Sequence, residues 1–385
     1  MKILADSKIP LVREAFADIA EVTTLDAQQI TADTVREADS LLVRSETKVN
    51  GAFLHGSRVR FVGTATIGTD HIDTDELQQR GIAFASAPGS NANSVAEYIV
   101  AALLVLAQRL GFSLEGRTLG VVGVGNIGKI VVRYAQALGM NVLQNDPPIA
   151  RASNDPTLLP LEELMAADII TLHVPLTKSG QDKTYHLFDE QRLLCMKRDS
   201  IVINTSRGVV VDTNALKSAL STGHLSACVL DVWENEPNID TRLLSLTTLG
   251  TPHIAGYSYD GKVNGTVMLH AAVCAHFGVR SVWTAPRELN NRQTNPIVIP
   301  ENASQLSGLL AAVKGCYDIE TDDRNLRTML ALPEPERAAY FRLLRLQYPL
   351  RREFHWHEVM APEHQGLLIA ALKALGFHNI ASTPE

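Results

Sequence analysis

The sequence predicts an α/β protein. A doubly wound parallel sheet built to hold a cofactor is inserted into a second, discontinuous α/β domain, and a small α/β segment follows at the C-terminal end. Three observations predict this. Short apolar runs alternate with helical pattern from the first residues onward. A valine-rich strand runs into Val121-Val-Gly-Val-Gly-Asn-Ile-Gly128 and then a helix. A strongly apolar helical stretch stands between two series of strand-like runs, the place of a crossover from one domain to the next.

In the first series Lys2 to Ala5, Leu41 to Val43, Val59 to Val62 and Ile82 to Ala85 read as strands of parallel units. Ser94 to Leu110, capped at Asn93 or Ser94, is a helix apolar on most faces and is expected to be buried. The second series places strands at Thr118 to Val122, Asn141 to Gln144, Ile169 to His173, Ile201 to Asn204 and Ala227 to Val232. After Tyr257 a helical pattern runs to about Gly278 and returns the chain to its first domain. Val282 to Pro300 reads as a linker; beyond it Glu334 to Leu346 and Glu363 to Leu375 are helical and Glu353 to Val359 strand-like. The expected division is 1–93 with 257–285, then 94–256, then 286–385.

With 385 residues, 45% of them hydrophobic and 20% charged, the chain can bury the cores of two or three domains. No apolar run approaches the roughly 20 residues of a membrane span. The longest, Tyr98 to Leu106, falls short, so no membrane partner is expected. Met1-Lys-Ile-Leu-Ala-Asp-Ser7 leads straight into strand-like sequence, which reads as cytoplasmic. Cys195, Cys228, Cys274 and Cys316 stand singly, so buried reduced thiols are expected rather than disulfides or a metal site. A net charge of −7 gives nucleic acid no basic face.

The glycine run carries the first chemistry. Gly123, Gly125 and Gly128 follow a strand and open a helix, where pyrophosphate can rest on backbone N–H groups and the positive helix end. Asp146, just beyond the next strand, is placed to accept hydrogen bonds from an adenosine ribose. A carboxylate there repels a 2′-phosphate, so the expected cofactor is NAD. The competing reading makes Asp146 a turn residue before Pro147-Pro148.

Three later segments carry the second half of a redox reaction. They are Asn204-Thr-Ser-Arg-Gly208, Asn235-Glu-Pro237 and Thr251-Pro-His-Ile-Ala-Gly-Tyr257. Arg207, Glu236 and His253 give a cation to hold a substrate carboxylate, a carboxylate to fix an imidazole's tautomer, and an imidazole to take a hydroxyl proton. That set, together with the glycine loop, resembles the D-isomer-specific 2-hydroxyacid dehydrogenase family.

The resemblance runs through most of residues 40–280. It includes Val43-Arg-Ser-Glu-Thr-Lys-Val-Asn50, Phe61-Val-Gly-Thr-Ala-Thr-Ile-Gly-Thr-Asp-His-Ile-Asp73 and Ala87-Pro-Gly-Ser-Asn-Ala-Asn93. It implies a Rossmann cofactor domain inserted in a flavodoxin-like substrate domain, and a C-terminal segment that joins two copies as a homodimer. It further implies that Asp231 faces the nicotinamide, that Asn126, Ile127, Val174, Thr205, Ser206 and Gly256 line the cofactor site, and that His173 is structural. Thr64-Ala-Thr66, the double proline after Asp146, and Tyr257 set the chain apart from phosphoglycerate and D-lactate dehydrogenases. These features imply a small phosphorylated 2-hydroxy acid substrate touched by Ser45, Thr66 and Tyr257, with Arg44 near its phosphate. Arg351-Arg352 is read either as a solvated pair or as a phosphate partner across a dimer. A different class also uses this fold, the NADH-sensing corepressors, but interaction tails of their kind are not visible here.

Overall fold

The computed structural model describes residues 1–286 and 295–382, so the centre of the expected linker lies outside the described residues. The chain forms two compact units, Met1–Asn91 with Ser258–Gln293, and Ala92–Tyr257 with Thr294–Glu385.

The first unit holds five parallel strands: β1 (Lys2–Asp6), β2 (Glu21–Leu25), β3 (Ser40–Val43), β4 (Phe61–Thr64) and β5 (Ala83–Ala85). They lie in the order β2-β1-β3-β4-β5. This is the flavodoxin-like order, whose ligand crevice opens at the carboxyl ends of the strands where the order reverses. Two readings from the sequence needed correction. The edge strand β2 reads Glu-Val-Thr-Thr-Leu, is only half covered, and gave no apolar run to detect. β4 begins two residues later than expected, because Phe61 pairs with Ser40 and Ala83 in the sheet. The helix Tyr259–Phe277 covers β4, and Gly63 permits the contact: a Cβ there would sit 2.9 Å from Leu42 and 3.0 Å from Leu269.

The second unit carries a six-stranded parallel sheet: β6 (Thr118–Val122), β7 (Asn141–Asn145), β8 (Ile169–Leu172), β9 (Ser200–Asn204), β10 (Leu225–Leu230) and β11 (Leu249–Gly250). Its order is β11-β10-β9-β8-β6-β7, extended beyond β7 by the single parallel bridge Gln144↔Leu158. The order reverses at β6 and β8, so the loops leaving those strands flank the crevice where this fold binds its ligand.

The same unit includes a small parallel sheet of β12 (Ile297–Val298), β13 (Glu358–Ala361) and β14 (Asn379–Ser382), in that order. Its helix Gln305–Cys316 packs on the helix Ala92–Leu110, and its helix Gly366–Ala374 on Gly128–Ala137. One continuous apolar cluster therefore joins Leu103, Val121, Leu310 and Phe377. The segment read as strand from Glu353 begins instead with a 3-10 turn, Phe354–Trp356, because Phe354 donates its N–H to Glu97 and stacks on Phe377.

The helix Ala92–Leu110 is long and apolar enough to cross a membrane, but 78% of its apolar window is buried within the protein. It starts before Asn93 and Ser94, which do not cap it. Both side chains instead donate to the buried carboxylate of Glu353, at 2.8 Å each. Of the cysteines, Cys228 is buried and Cys195 is exposed, which corrects the expectation for Cys195.

Candidate active site

The three glycines after β6 have distinct tasks. Gly123 has φ +88°, and a Cβ there would strike the His173 carbonyl at 2.6 Å. At Gly128 a Cβ would fall 2.0 Å from the Gly123 carbonyl, so this glycine lets the helix Gly128–Ala137 begin hard against the strand. Around Gly125 no protein atom beyond its immediate chain neighbours lies within 4 Å of the Cβ position. The open side at the middle glycine, in front of a helix N-terminus, is the approach a pyrophosphate needs, so the loop fits a dinucleotide. Asp146 Oδ2 accepts the Val124 N–H of this loop at 2.9 Å, while Oδ1 caps the helix Pro147–Ser153 through Ile149 N–H at 3.1 Å. The turn role and the position beside the glycine loop are held by one side chain.

Asn126 and Ile127 occupy the glycine loop itself, Val174 follows β8, and Thr205 and Ser206 follow β9, all at the carboxyl edge of the sheet. Burial holds the His173 imidazole down to about 3, so it is neutral. Its ring nitrogens meet the hydroxyls of Thr171 at 3.0 Å and Thr205 at 3.4 Å. These contacts suit a structural histidine.

The loops carrying Arg207, Glu236 and His253 are stitched to one another by close contacts. Asn204 fixes the turn after β9, accepting the Ser206 N–H at 3.0 Å and donating to the Arg207 carbonyl at 2.9 Å. Gly208 then passes so close to the next loop that a Cβ would lie 2.0 Å from the carbonyl carbon of Trp233. That contact sets the Arg207 turn beside the loop carrying Glu236. Trp233 donates its backbone N–H to Glu236 Oε1 at 2.8 Å and its indole N–H to the Thr251 carbonyl at 3.0 Å, bridging to the histidine loop.

Glu236 Oε2 stands 2.7 Å from His253 Nδ1. Burial works to raise the Glu236 carboxyl. The His253 charge, its hydrogen bond, the Trp233 N–H and Arg345 outweigh burial and hold the group below its ordinary range. The carboxylate is thus ionised beside the imidazole and fixes its tautomer.

His253 has φ +59°, a left-handed backbone that a residue with a Cβ adopts at a cost. Asp231, 1% exposed at the end of β10, holds the loop in this shape. Its Oδ1 accepts the Thr251 hydroxyl at 2.6 Å and the Ile254 N–H at 2.7 Å, and its Oδ2 the Ala255 N–H at 3.0 Å. The Thr251 hydroxyl in turn accepts from Tyr98 Oη at 2.8 Å. Asp231 therefore grips the chain on both sides of His253. Gly256 and Tyr257 follow directly, and the Tyr257 hydroxyl accepts from Arg345 Nη2 at 3.0 Å.

Ser45 and Thr66 belong to the other unit, where Arg44 and Ser45 leave β3 and Thr66 leaves β4 on the carboxyl edge of that sheet. Thr66 Oγ1 is tied to Thr64 Oγ1 at 2.7 Å and donates to the Gly68 carbonyl at 2.9 Å. Sequence reasoning missed Tyr98 and Trp233, which support the histidine loop, and Arg345, which reaches Tyr257. Arg345 belongs to no motif; its only signal is a cation interrupting the run Leu343-Leu-Arg-Leu346.

A glycine loop open for pyrophosphate, followed by an arginine turn and a carboxylate–imidazole pair, defines the class of the D-isomer-specific 2-hydroxyacid dehydrogenases. The profile described as D-isomer specific 2-hydroxyacid dehydrogenase, NAD binding domain, matches residues 91–255, and a domain of unknown function matches residues 289–376. The chain is 46% identical to an erythronate-4-phosphate dehydrogenase of Salinibacter ruber, over 97% of this chain and 98% of that one. It is 44% identical to an erythronate-4-phosphate dehydrogenase of Cellvibrio japonicus, over 99% and 100%. A D-lactate dehydrogenase of Aquifex aeolicus, solved with NAD and lactic acid, superposes with a TM-score of 0.59 at 28% identity, covering 72% of this chain and 96% of that one. Within the class, the chain belongs to the erythronate-4-phosphate dehydrogenase family.

Proposed function

We propose that the protein oxidises the C2 hydroxyl of 4-phospho-D-erythronate to 3-hydroxy-2-oxo-4-phosphooxybutanoate, as a step of vitamin B6 biosynthesis. It is an NAD-dependent dehydrogenase acting on a CH–OH group. The observation that carries the reading is the 2.7 Å His253–Glu236 pair set beside the Arg207 turn in a chain of this family.

In this reading Arg207 pairs with the substrate carboxylate in a bidentate fork and polarises the C2 oxygen. His253 Nε2 takes the C2 hydroxyl proton, while Nδ1–H donates to Glu236, which stabilises the imidazolium that forms. Bound NAD⁺ supplies the hydride acceptor. The glycine loop holds its pyrophosphate, and Asp146 receives its ribose hydroxyls and opposes a 2′-phosphate. Asn126, Ile127, Val174, Thr205, Ser206, Asp231 and Gly256 frame the remaining cofactor surface. Ser45, Thr66 and Tyr257 meet the substrate, with Arg44 near its charged end.

The working form is proposed to be a cytoplasmic homodimer, with residues 286–385 providing the dimerisation surface. Leu343, Leu346 and Leu350 support it, standing 42%, 55% and 54% exposed on and after the helix Glu334–Leu346. An apolar row of this kind is what an association surface needs. Deleting the segment would uncover a shared core, so the full-length chain is the right subject for sedimentation. An unchanged monomer–dimer distribution in Leu346→Asp would refute the surface.

The deciding assay compares steady-state turnover of phosphorylated and unphosphorylated 2-hydroxy acids with NAD⁺ and NADP⁺. 4-Phospho-D-erythronate should exceed D-erythronate in kcat/KM by roughly 10³-fold, the worth of charge-assisted bonds to a phosphate. Equal or better activity with 3-phospho-D-glycerate or D-lactate would reject the substrate. Absence of any turnover with NADH still bound would favour a sensing protein.

A further inference from the structure

The last turn of the helix Glu334–Leu346 delivers Arg345 to the residue that follows the histidine loop. Its Nη2 donates to the Tyr257 hydroxyl at 3.0 Å, and its guanidinium carbon lies 5.6 Å from the Tyr257 ring centroid. Tyr348 meets the same ring edge-on, with centroids 5.7 Å apart. The Arg345 Nε is shut away from solvent and has no hydrogen-bond partner.

The Arg345 guanidinium is half-buried, and although burial works against its charge, Tyr257, Glu236 and Asp231 outweigh that effect and favour the cation. Among the described residues it forms no ion pair, and its hydrogen-bond acceptor is the Tyr257 hydroxyl. The two carboxylates whose charge reaches it are already engaged, Glu236 with His253 and Trp233, and Asp231 with Thr251, Ile254 and Ala255. A guanidinium has five N–H donors in a planar fork suited to carboxylate or phosphate, and no carboxylate among the described residues is bonded to this one. Arg351, the basic residue singled out in the sequence, is otherwise engaged. It is 5% exposed, donates to the Ser94 carbonyl at 2.6 Å and lies 4.1 Å over the Tyr317 ring.

We propose that Arg345, beside Tyr257, is the specificity-determining receptor for the anionic far end of the substrate, taking its phosphate while Arg207 takes the carboxylate. The inference rests on the proposed function only in requiring a substrate with two anionic ends. It assigns to the C-terminal segment a binding role in the active site of its own chain. The alternative is that Arg345 only steadies the Tyr257 ring.

The test uses the full-length protein and the variants Arg345→Gln, Arg345→Lys and Tyr257→Phe. NADH affinity by fluorescence titration verifies the fold of each. Two quantities are read: the ratio of kcat/KM for 4-phospho-D-erythronate to that for D-erythronate, and the inhibition constant of inorganic phosphate. In Arg345→Gln the ratio should fall about 10²-fold, through KM, as charge-assisted bonds to phosphate are lost, and phosphate should inhibit more weakly. Arg345→Lys should regain part of both, since it keeps the charge without the fork. Tyr257→Phe should lose less than Arg345→Gln. If Arg345→Gln fails to bind NADH, Arg345→Lys is judged by the same two quantities. Equal losses on both substrates with unchanged phosphate inhibition would overturn the receptor role. A wild-type protein that does not prefer the phosphorylated acid would reject the proposed function itself, before any variant is read.

Discussion

Glu236 Oε2 and His253 Nδ1 stand 2.7 Å apart, and the carboxylate's second oxygen accepts the Trp233 N–H at 2.8 Å. The acid is thereby anchored to backbone on one side and directs an imidazole on the other. Replacing His253 by Ala should lower kcat by about 10²- to 10⁴-fold, the loss of a general base, with NADH affinity nearly intact. Glu236→Gln should cost less, since the amide oxygen can still accept from Nδ1. Wild-type turnover in His253→Ala would reject the assignment.

The grip of Asp231 on the histidine loop predicts a coupled loss of stability and turnover. Asp231→Asn turns one of the acceptor oxygens into a donor facing groups that are themselves donors, at an expected cost of about 1–3 kcal/mol for a buried unsatisfied group. Calorimetry should show a lower Tm, and kcat should fall as His253 leaves its left-handed conformation. A variant with unchanged Tm and kcat would show that the loop holds its shape without this side chain.

Gly125 and Gly128 should behave oppositely. A methyl at Gly125 meets no protein atom beyond its immediate chain neighbours, so Gly125→Ala should leave the Tm of the free protein in place while weakening NADH binding at least about tenfold by obstructing the phosphates. A methyl at Gly128 would lie 2.0 Å from the Gly123 carbonyl, so Gly128→Ala should lower the Tm directly. Thermal melts with and without NADH separate the two, and a stable Gly128→Ala variant would contradict the contact.

His173 predicts a pH dependence. Its value of about 3 in the folded protein lies below the ordinary 6.5, so the unfolded chain binds the proton more readily. Its contribution to stability is therefore complete above about pH 6.5 and shrinks as pH falls toward 3. Tm measured from pH 7 to pH 4.5 should decline, and the decline should be shallower in His173→Gln, which has no proton to gain. Parallel curves for the two proteins would rule out this source.

Glu236 is held below its ordinary range as His173 is, so its contribution has the same sign. A depressed carboxyl stabilises the fold above its ordinary value of 4.5 and loses that effect as pH falls through its folded value. Glu236→Gln should therefore flatten the stability curve below about pH 4.5, in the lower part of the range over which His173 also acts. Identical acid unfolding midpoints would refute it.

Much of the candidate site was legible because its chemistry is written in short local segments. The three glycines, the strand before them and the helix after them are contiguous, and the sheet order follows from alternating strands and helices under the rules for parallel crossovers. Arg207, Glu236 and His253 were singled out as candidates because each stands in a short segment with the residue type that hydride transfer from a hydroxy acid demands. Boundaries were weaker where burial and local pattern disagree, as in the half-covered strand Glu21–Leu25 and the turn Phe354–Trp356, whose aromatic residues mimic a strand.

Tertiary structure alone decided how the loops are held. That Asp231 braces both sides of His253, that Gly208 must clear the Trp233 backbone, and that Glu353 takes up Asn93 and Ser94 all depend on contacts between residues distant in the chain. So does the arrival of Arg345 at Tyr257 from a helix with no motif, since the sequence specifies its charge but not its neighbour. Local sequence encodes a residue's chemistry and its backbone preference. Which donor meets which acceptor is fixed only when the apolar faces of separate elements are buried against each other and their polar groups must find partners in the space that remains.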